Sequence, residues 1–490
     1  MSSESTNLGQ EILKEAAPLP PRAQPLWRRA LDILQVPALA VFTALIAGAF
    51  IVVVTDLTVI AEFASTVSRL APLGYVLLLL ALVVGLGAAW LFARTESALA
   101  RVTGGRTPTR SLTLLARIGA GLGGLILVIL LVRAAGFVQA LDAAWSAVAT
   151  AYGAMAEGSL GSLPRMIAAL QGGDALERRQ AFNPILDSLV TATPYIFAGL
   201  AVAVSFRCGL FNIGAEGQLF MGAIFSAYVG YSITGLPGII HIPLALLAGA
   251  LGGALWAFVP AILKAKVGAH EVINTIMMNY IAFRLSEWLL NGPMKRPGTA
   301  NPVSPTIQPS AELPRFFADP IRFHAGFFIA LAVAALVYWL LFRTTLGFEI
   351  RTVGANPKAA RYAGMNITRN FVVALCLSGA LAGLAGANEV LGVNHNLALA
   401  FSAGYGFDSI ALALLGKSHP LGVVLAALLF GTLRSGGTRM QNVAKIPVEL
   451  ISIIQALVIA FVAAPAIIRA IYRIRGKPGF EAVFTRGWGK

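Results

Sequence analysis

Residues 186–218 read LDSLVTATPYIFAGLAVAVSFRCGLFNIGAEGQ. The first part, Leu186–Phe206, is an almost unbroken apolar run of membrane-spanning length. The run then ends in Arg207, Asn212, Glu216 and Gln218, interleaved with Gly209, Gly214 and Gly217. A glycine-broken segment at membrane depth is tolerated only where it is buried in protein or lines a cavity. The stretch therefore predicts an all-α membrane bundle with an interrupted helix in its interior. A tight cytoplasmic turn between two spans is the plainer alternative.

The rest of the chain agrees. Of 490 residues, 57% are hydrophobic and only 12% charged, where soluble domains run nearer a quarter charged. Mean hydropathy is +0.77. The other predicted spans are Val36–Thr55, Leu73–Phe92, Ile118–Ala135, Leu219–Thr234, Ile242–Leu263, Val272–Leu290, Ala325–Phe342, Phe371–Val390, Ala400–Leu415, Leu421–Leu433 and Leu450–Ile471. That makes about twelve spans. The apolar sequence begins too late, after the Pro-containing tail Ala17–Arg22, to be a cleaved leader.

The net charge is +15. Nucleic-acid binding is one reading of such a balance. Lys and Arg gathered on cytoplasmic loops facing anionic lipid is the better one. Arg22, Arg28 and Arg29 precede the first span, and Arg94, Arg101, Arg106, Arg110 and Arg117 follow the second. Lys264 and Lys266 follow the sixth, Arg343 to Arg369 the eighth, and Arg469 to Lys477 the last. Alternating crossings put all these groups on one side, with both termini cytoplasmic. The loop Asn291–Arg322 dissents, holding Lys295, Arg296, Arg315 and Arg322 on the outer side. Gln139–Pro184 and the Pro-rich Asn291–Phe323 are then outer non-membrane stretches, either docking surface or plain connector.

Two further polar clusters sit where lipid is expected. In His270–Tyr280, Glu271, Asn274, Thr275, Met278 and Asn279 fall on one helical face. In Gly404–Ile410, Asp408 lies downstream of Glu389 and Asn394 and upstream of Lys417. Such groups line a path or bond neighbouring helices. The candidate path residues are Phe211, Asn212, Glu216, Gln218, Glu271, Asn274, Met278, Asn279, Glu389 and Asp408. Gly-Phe-Asp-Ser-Ile loosely echoes Leu-Phe-Asn-Ile, as interrupted helices of an internal repeat do.

Catalysis finds no support. The five histidines have no ligand spacing, and Cys208 and Cys376 form neither a metal cluster nor a disulfide framework. Leu415–Ser418 imitates a phosphate loop, but Ala411 stands where its first Gly is needed. No cofactor is expected. On the cytoplasmic loop Arg343–Asn366, Asn356 caps and Pro357 opens a short helix over Lys358–Ala363, stopped at Gly364.

Thr193-Pro-Tyr-Ile-Phe-Ala-Gly-Leu-Ala-Val-Ala, Phe211-Asn-Ile-Gly-Ala-Glu-Gly-Gln, His270-Glu-Val-Ile-Asn-Thr-Ile-Met-Met-Asn-Tyr-Ile-Ala, Gly354-Ala-Asn-Pro-Lys-Ala-Ala and Gly383-Leu-Ala-Gly-Ala resemble the permease subunits of bacterial ABC importers for nucleosides. That group is similar to ribose and other simple-sugar permeases, and more distantly to branched-chain amino-acid ones. The resemblance implies transport by alternating access in a bacterial inner membrane. It implies two cytoplasmic ATP-hydrolysing subunits, a second related permease, an extracytoplasmic substrate-binding lipoprotein and a nucleoside substrate, with no nucleic acid. It also implies that Gly354, Asn356, Ala359, Ala360 and Gly364 couple to the ATPase. Residues 118–477 match the permease core. The tail 1–35 and the two spans with their basic loop in 36–117 look additional, and 478–490 is a second tail. A simple-sugar permease is the nearest rival, followed by an ion-driven secondary transporter. A membrane-bound enzyme is a poor third.

Overall fold

The computed structural model describes residues 26–69, 136–447 and 449–473. The predicted spans Leu73–Phe92 and Ile118–Ala135 lie outside the described residues. Within them the chain is helical, and β pairing is confined to two isolated bridges.

The elements are α1 (Leu26–Thr55), α2 (Phe137–Leu160), α3 (Leu163–Gly172), α4 (Ala175–Arg207), α5 (Ala215–Ser232), α6 (Gly238–Ile262), α7 (Glu271–Asn291), α8 (Gly326–Arg343), α9 (Thr345–Ala355), α10 (Pro357–Tyr362), α11 (Ile367–Asn388), α12 (Tyr405–Leu415), α13 (Pro420–Ala444), α14 (Glu449–Ala463) and α15 (Pro465–Ile471). Six helices among the described residues are long and apolar enough to cross a membrane: Gln35–Thr55, Ala175–Arg207, Gly238–Val267, Gly326–Arg343, Ile367–Asn394 and Pro420–Ala444. The protein is a multi-pass membrane bundle.

Helix α4 is its axis, buried from Val190 to Ser205 almost without interruption. Beside it α5, α6 and α11 pack very closely on one another, because their facing positions lack side chains. A Cβ on Gly383 would meet the Gly249 carbonyl, and one on Gly253 would meet the Gly379 carbonyl. Gly222 faces the Gly383 backbone in the same way. With no hydrophobic drive between helices in lipid, dispersion at such close approach holds the seam together.

Several boundaries differ from the sequence reading, each for a local reason. Gln139–Pro184 is helical rather than a connector: α2 and α3 occupy it, and Asp174 with Glu177 forms a capping box opening α4. The small residues of α2 (Ala144, Ala151, Ala154) pack it against neighbouring helices, which hydropathy alone does not show. Ala400–Leu415 is helical only from Tyr405, because Gly404 adopts φ 86° and starts the helix there. Leu421–Leu433 extends to Ala444, where Arg434 bonds Tyr195 and the Ala403 carbonyl and Arg439 pairs with Glu157. Leu450–Ile471 divides at Ala464 before Pro465. The Arg343–Asn366 loop holds two helices, α9 as well as the expected short one.

The stretch 292–325 is not a free connector. It is laced to residues 391–398: Ser304 N–H donates to the Leu397 carbonyl, Ile307 N–H to His395, and Leu313 N–H to Leu391, at 2.8–2.9 Å. Ile307, Ala311, Leu313 and Ile321 are buried beneath it. His324 is buried there too, and burial, reinforced by Arg315, His395 and Arg322, pulls its imidazole down to about 4.

Candidate intramembrane latch and cytoplasmic docking helix

The break between α4 and α5 is a built turn. Gly209 takes φ 74°, which a side chain resists, and the chain reverses there. Asn212, fully buried, accepts from the Gly214 N–H at 2.9 Å. Its amide donates to Gln218 (2.9 Å) and to the Ser378 hydroxyl on α11 (2.8 Å), and Gln218 donates back at 3.2 Å. From α7, Asn279 accepts from the Gly217 N–H (2.8 Å) and donates to the Ile213 carbonyl (3.0 Å). These amides satisfy backbone groups that helix bonding leaves open, a requirement at membrane depth. Phe211 stacks on Phe206 with centroids 5.1 Å apart.

Glu216 begins α5 and reaches across to the start of α12. One carboxylate oxygen accepts from the Ser402 hydroxyl, the other from the Gly406 N–H, both at 2.6 Å. A Cβ on Gly406 would strike the Glu216 backbone, so only glycine permits this approach. The negative charge sits against the positive end of α12, the favourable sense of that helix dipole. One turn on, Asp408 accepts from the Tyr195 hydroxyl at 2.8 Å. Arg434 of α13 donates to the same hydroxyl at 2.6 Å and to the Ala403 carbonyl at 3.0 Å, and lies 3.5 Å from Asp408. Its guanidinium covers the Tyr405 ring at 4.9 Å. The first and third polar clusters are therefore one site, in which the short helix α12 is held at its start by the Glu216 carboxylate on one side and, through its own Asp408, by Tyr195 and Arg434 on the other.

The other candidates lie near this site or on a neighbouring helix. Glu389 is buried in the π-helical turn Glu389–Asn394 that ends α11. On α7, Asn279 and Thr275 are buried while Asn274 and Met278 are half-buried, so this face turns inward. Glu271 forms an ion pair with Lys264 at 2.7 Å, not with Lys266. Tyr195 and Arg434 escaped the sequence reading. The signal for Arg434 was present: an arginine directly at the end of an apolar run.

On the side where Lys264 lies near Glu271, Asn356 Oδ1 accepts from the Lys358 and Ala359 N–H groups at 3.0 and 3.1 Å, capping α10. Gly364 follows at φ 80°. Ala360 is buried against the bundle, whereas Ala359 faces out. Tyr362, which the sequence reading passed over, is 97% exposed. At the root of this element, Gly354 presses on the Arg207 carbonyl with no room for a Cβ. Arg207 in turn donates to the Ser418 carbonyl at 2.8 Å. The end of α9, which leads into α10, thus stands directly on the turn between α4 and α5.

No group of three or more His, Cys, Asp or Glu suited to a metal ion occurs among the described residues. The site holds and orients the start of a helix.

Residues 184–463 match the family model of the branched-chain amino acid transport system permease component, more than half of the chain. The chain is 44% identical to the guanosine ABC transporter permease protein of Bacillus subtilis, over 57% of its own length and 80% of that protein's. It is 40% identical to a glucose ABC transporter permease protein of Haloferax volcanii, covering 56% and 75%. It is 34% identical to a nucleoside ABC transporter permease protein of Lactococcus lactis, covering 58% and 80%. No solved structure matches. The chain belongs to this family of ABC transporter permeases, which are transport components of multi-subunit systems.

Proposed function

We propose that this chain is the permease subunit of an ATP-driven importer that moves nucleosides across a bacterial inner membrane. The similarity to the guanosine permease over four-fifths of that protein's length carries this reading. The nucleoside permease of Lactococcus supports it. The glucose permease of Haloferax keeps hexose as the second reading.

In this proposal the chain crosses the membrane about twelve times with both termini inside. Residues 118–477 form the transport core, and the tails and residues 36–117 are additions. Two cytoplasmic ATPase subunits, a second related permease and an extracytoplasmic binding lipoprotein complete the assembly, and anionic lipid faces the basic loops. The ATPase grips α10 through Ala359 and the exposed Tyr362, within the element Gly354–Gly364. Its movement bears on the turn carrying Phe211, Asn212, Glu216 and Gln218, and so on the latch at Asp408. Glu271, Asn274, Met278, Asn279 and Glu389 lie along the helices that this displaces. The cycle is alternating access: the outer side receives the nucleoside and the short helix α12 shifts to release it inward.

Ala359→Glu in the complete, reconstituted complex tests the coupling. Uptake should fall at least tenfold with the bundle still assembled, because a charged side chain would stand at the docking face. Wild-type uptake and ATP hydrolysis in that variant would sink the coupling assignment. Stimulation of ATP hydrolysis by guanosine against glucose, with the binding protein present, separates the two substrate readings. Failure of the chain to co-purify with an ATPase would instead favour ion-driven transport.

A further inference from the structure

The outward faces of the long helices differ in kind. On α6 the exposed side chains include Leu244, Leu247, Leu251, Leu255 and Phe258. On α8 they include Phe328, Leu336 and Trp339. Neither helix carries an ionisable residue on its exposed face before Arg343. These are surfaces for lipid. The exposed stripe of α7 starts the same way, with Ile273, Met277, Tyr280 and Ile281, and then changes. Its last two turns present Arg284, 82% exposed, bonded to Glu287 at 2.7 Å, with Trp288 and Asn291 beside them. Together with Gly292 they line a shallow, open concavity on the helix surface.

Helix α7 is not among the six helices long and apolar enough to cross a membrane, and an exposed ion pair at its end belongs beside water or protein rather than lipid. We infer that the outer end of α7 is a contact site on the substrate route, taking a planar heterocycle with hydrogen-bonding edges. Trp288 supplies a stacking face. Arg284 and Glu287 supply a donor fork and an acceptor for ring and hydroxyl groups. The concavity is shallow, so the contact is transient, which suits a path better than a store. The inference rests on the nucleoside reading above and adds residues to it. The inward polar face of α7 is occupied in holding the α4–α5 turn, which leaves the outward face to meet solute.

The test uses the full complex in lipid vesicles, with guanosine uptake measured against concentration. Trp288→Leu and Arg284→Gln should each raise KM roughly tenfold, the scale of one lost stacking or charge-assisted contact. Trp288→Phe should restore most of the loss. Subunit co-purification and basal ATP hydrolysis should match wild type, as should every property of Leu255→Ala on α6. KM within twofold of wild type for both variants would make this face an interfacial anchor of aromatic and basic residues and overturn the site. Photolabelling of the wild-type complex with 8-azidoadenosine gives a second readout that needs no variant. Label within residues 284–292 is expected, and label confined elsewhere overturns the assignment. Wild-type uptake of glucose with none of guanosine overturns the nucleoside reading and the site with it. Normal guanosine uptake by the variants overturns the site alone.

Discussion

Two contacts hold the interior of this bundle, and they are opposites. The seam of α5, α6 and α11 is made from Gly222, Gly249, Gly253, Gly379 and Gly383, with backbone against backbone and only the methyls of Ala257 and Ala387 beside them. The start of α12 is held by polar side chains: Glu216 on the Gly406 N–H and Ser402, and Tyr195 and Arg434 on Asp408. A glycine seam has one good geometry, because its attraction falls off within a fraction of an ångström. A carboxylate on a helix start can exchange a partner for water and regain it. The first contact is suited to a rigid frame, the second to a part that moves relative to that frame.

The largest expected effect comes from breaking the seam. Gly383→Leu would drive a branched side chain into the Gly249 carbonyl and the Gly253 backbone. Overpacking without room to relax costs more than about 3 kcal/mol. The variant should fail to accumulate as a monodisperse species in detergent, and Gly383→Ala should melt well below wild type. A wild-type melting curve for the leucine variant would show that the seam is not a frame.

Breaking the latch should do less to folding and more to function. Glu216→Ala leaves the Gly406 N–H and the Ser402 hydroxyl without their acceptor, a loss of about 2–3 kcal/mol for buried groups. Glu216→Gln keeps one acceptor oxygen but loses the charge at the α12 start, and should cost about 1 kcal/mol. Both should assemble with their partners while ATP hydrolysis proceeds with reduced uptake. Equal damage to folding by Glu216→Ala and Gly383→Leu would erase the distinction between the two contacts.

The sequence exposed these two contacts unequally. The latch was partly legible, because Glu216 and Asp408 are ionisable groups in apolar surroundings, and such groups need a reason to be there. That the two belong to one site was not legible, since residues about 190 apart in the chain meet only through the folding of α5 against α12. Tyr195 was hidden because a tyrosine in an apolar run reads as core until its hydroxyl is seen to have partners. The seam was hidden too. Glycines spaced along three helices show which positions are small, but not which helix each one faces. Helix α2 went unread for the same reason, as its burial depends on Ala144, Ala151 and Ala154 meeting neighbours. By contrast, the cap at Asn356 was read correctly to the residue, because capping is decided within four residues of chain. Local rules carried the docking helix, and long-range meetings carried the rest.

The smallest expected effect asks whether the docking helix belongs to the frame or to the moving part. Asn356→Ala removes the acceptor for the Lys358 and Ala359 N–H groups. Loss of such a cap costs about 1 kcal/mol. The cost falls on a six-residue helix exposed on most of its surface, so the melting curve of the whole bundle should barely move. Uptake should nonetheless drop severalfold, because a frayed α10 transmits the push of its partner poorly to Gly354 and the Arg207 turn. Asn356→Asp and Asn356→Ser keep a capping oxygen and should restore transport. That rescue separates capping from direct recognition of the amide by the ATPase, which neither replacement would satisfy. If alanine lowers the melting curve as far as Glu216→Ala does, α10 is part of the frame. If alanine, aspartate and serine all transport normally, the short helix is not the route by which force enters the bundle.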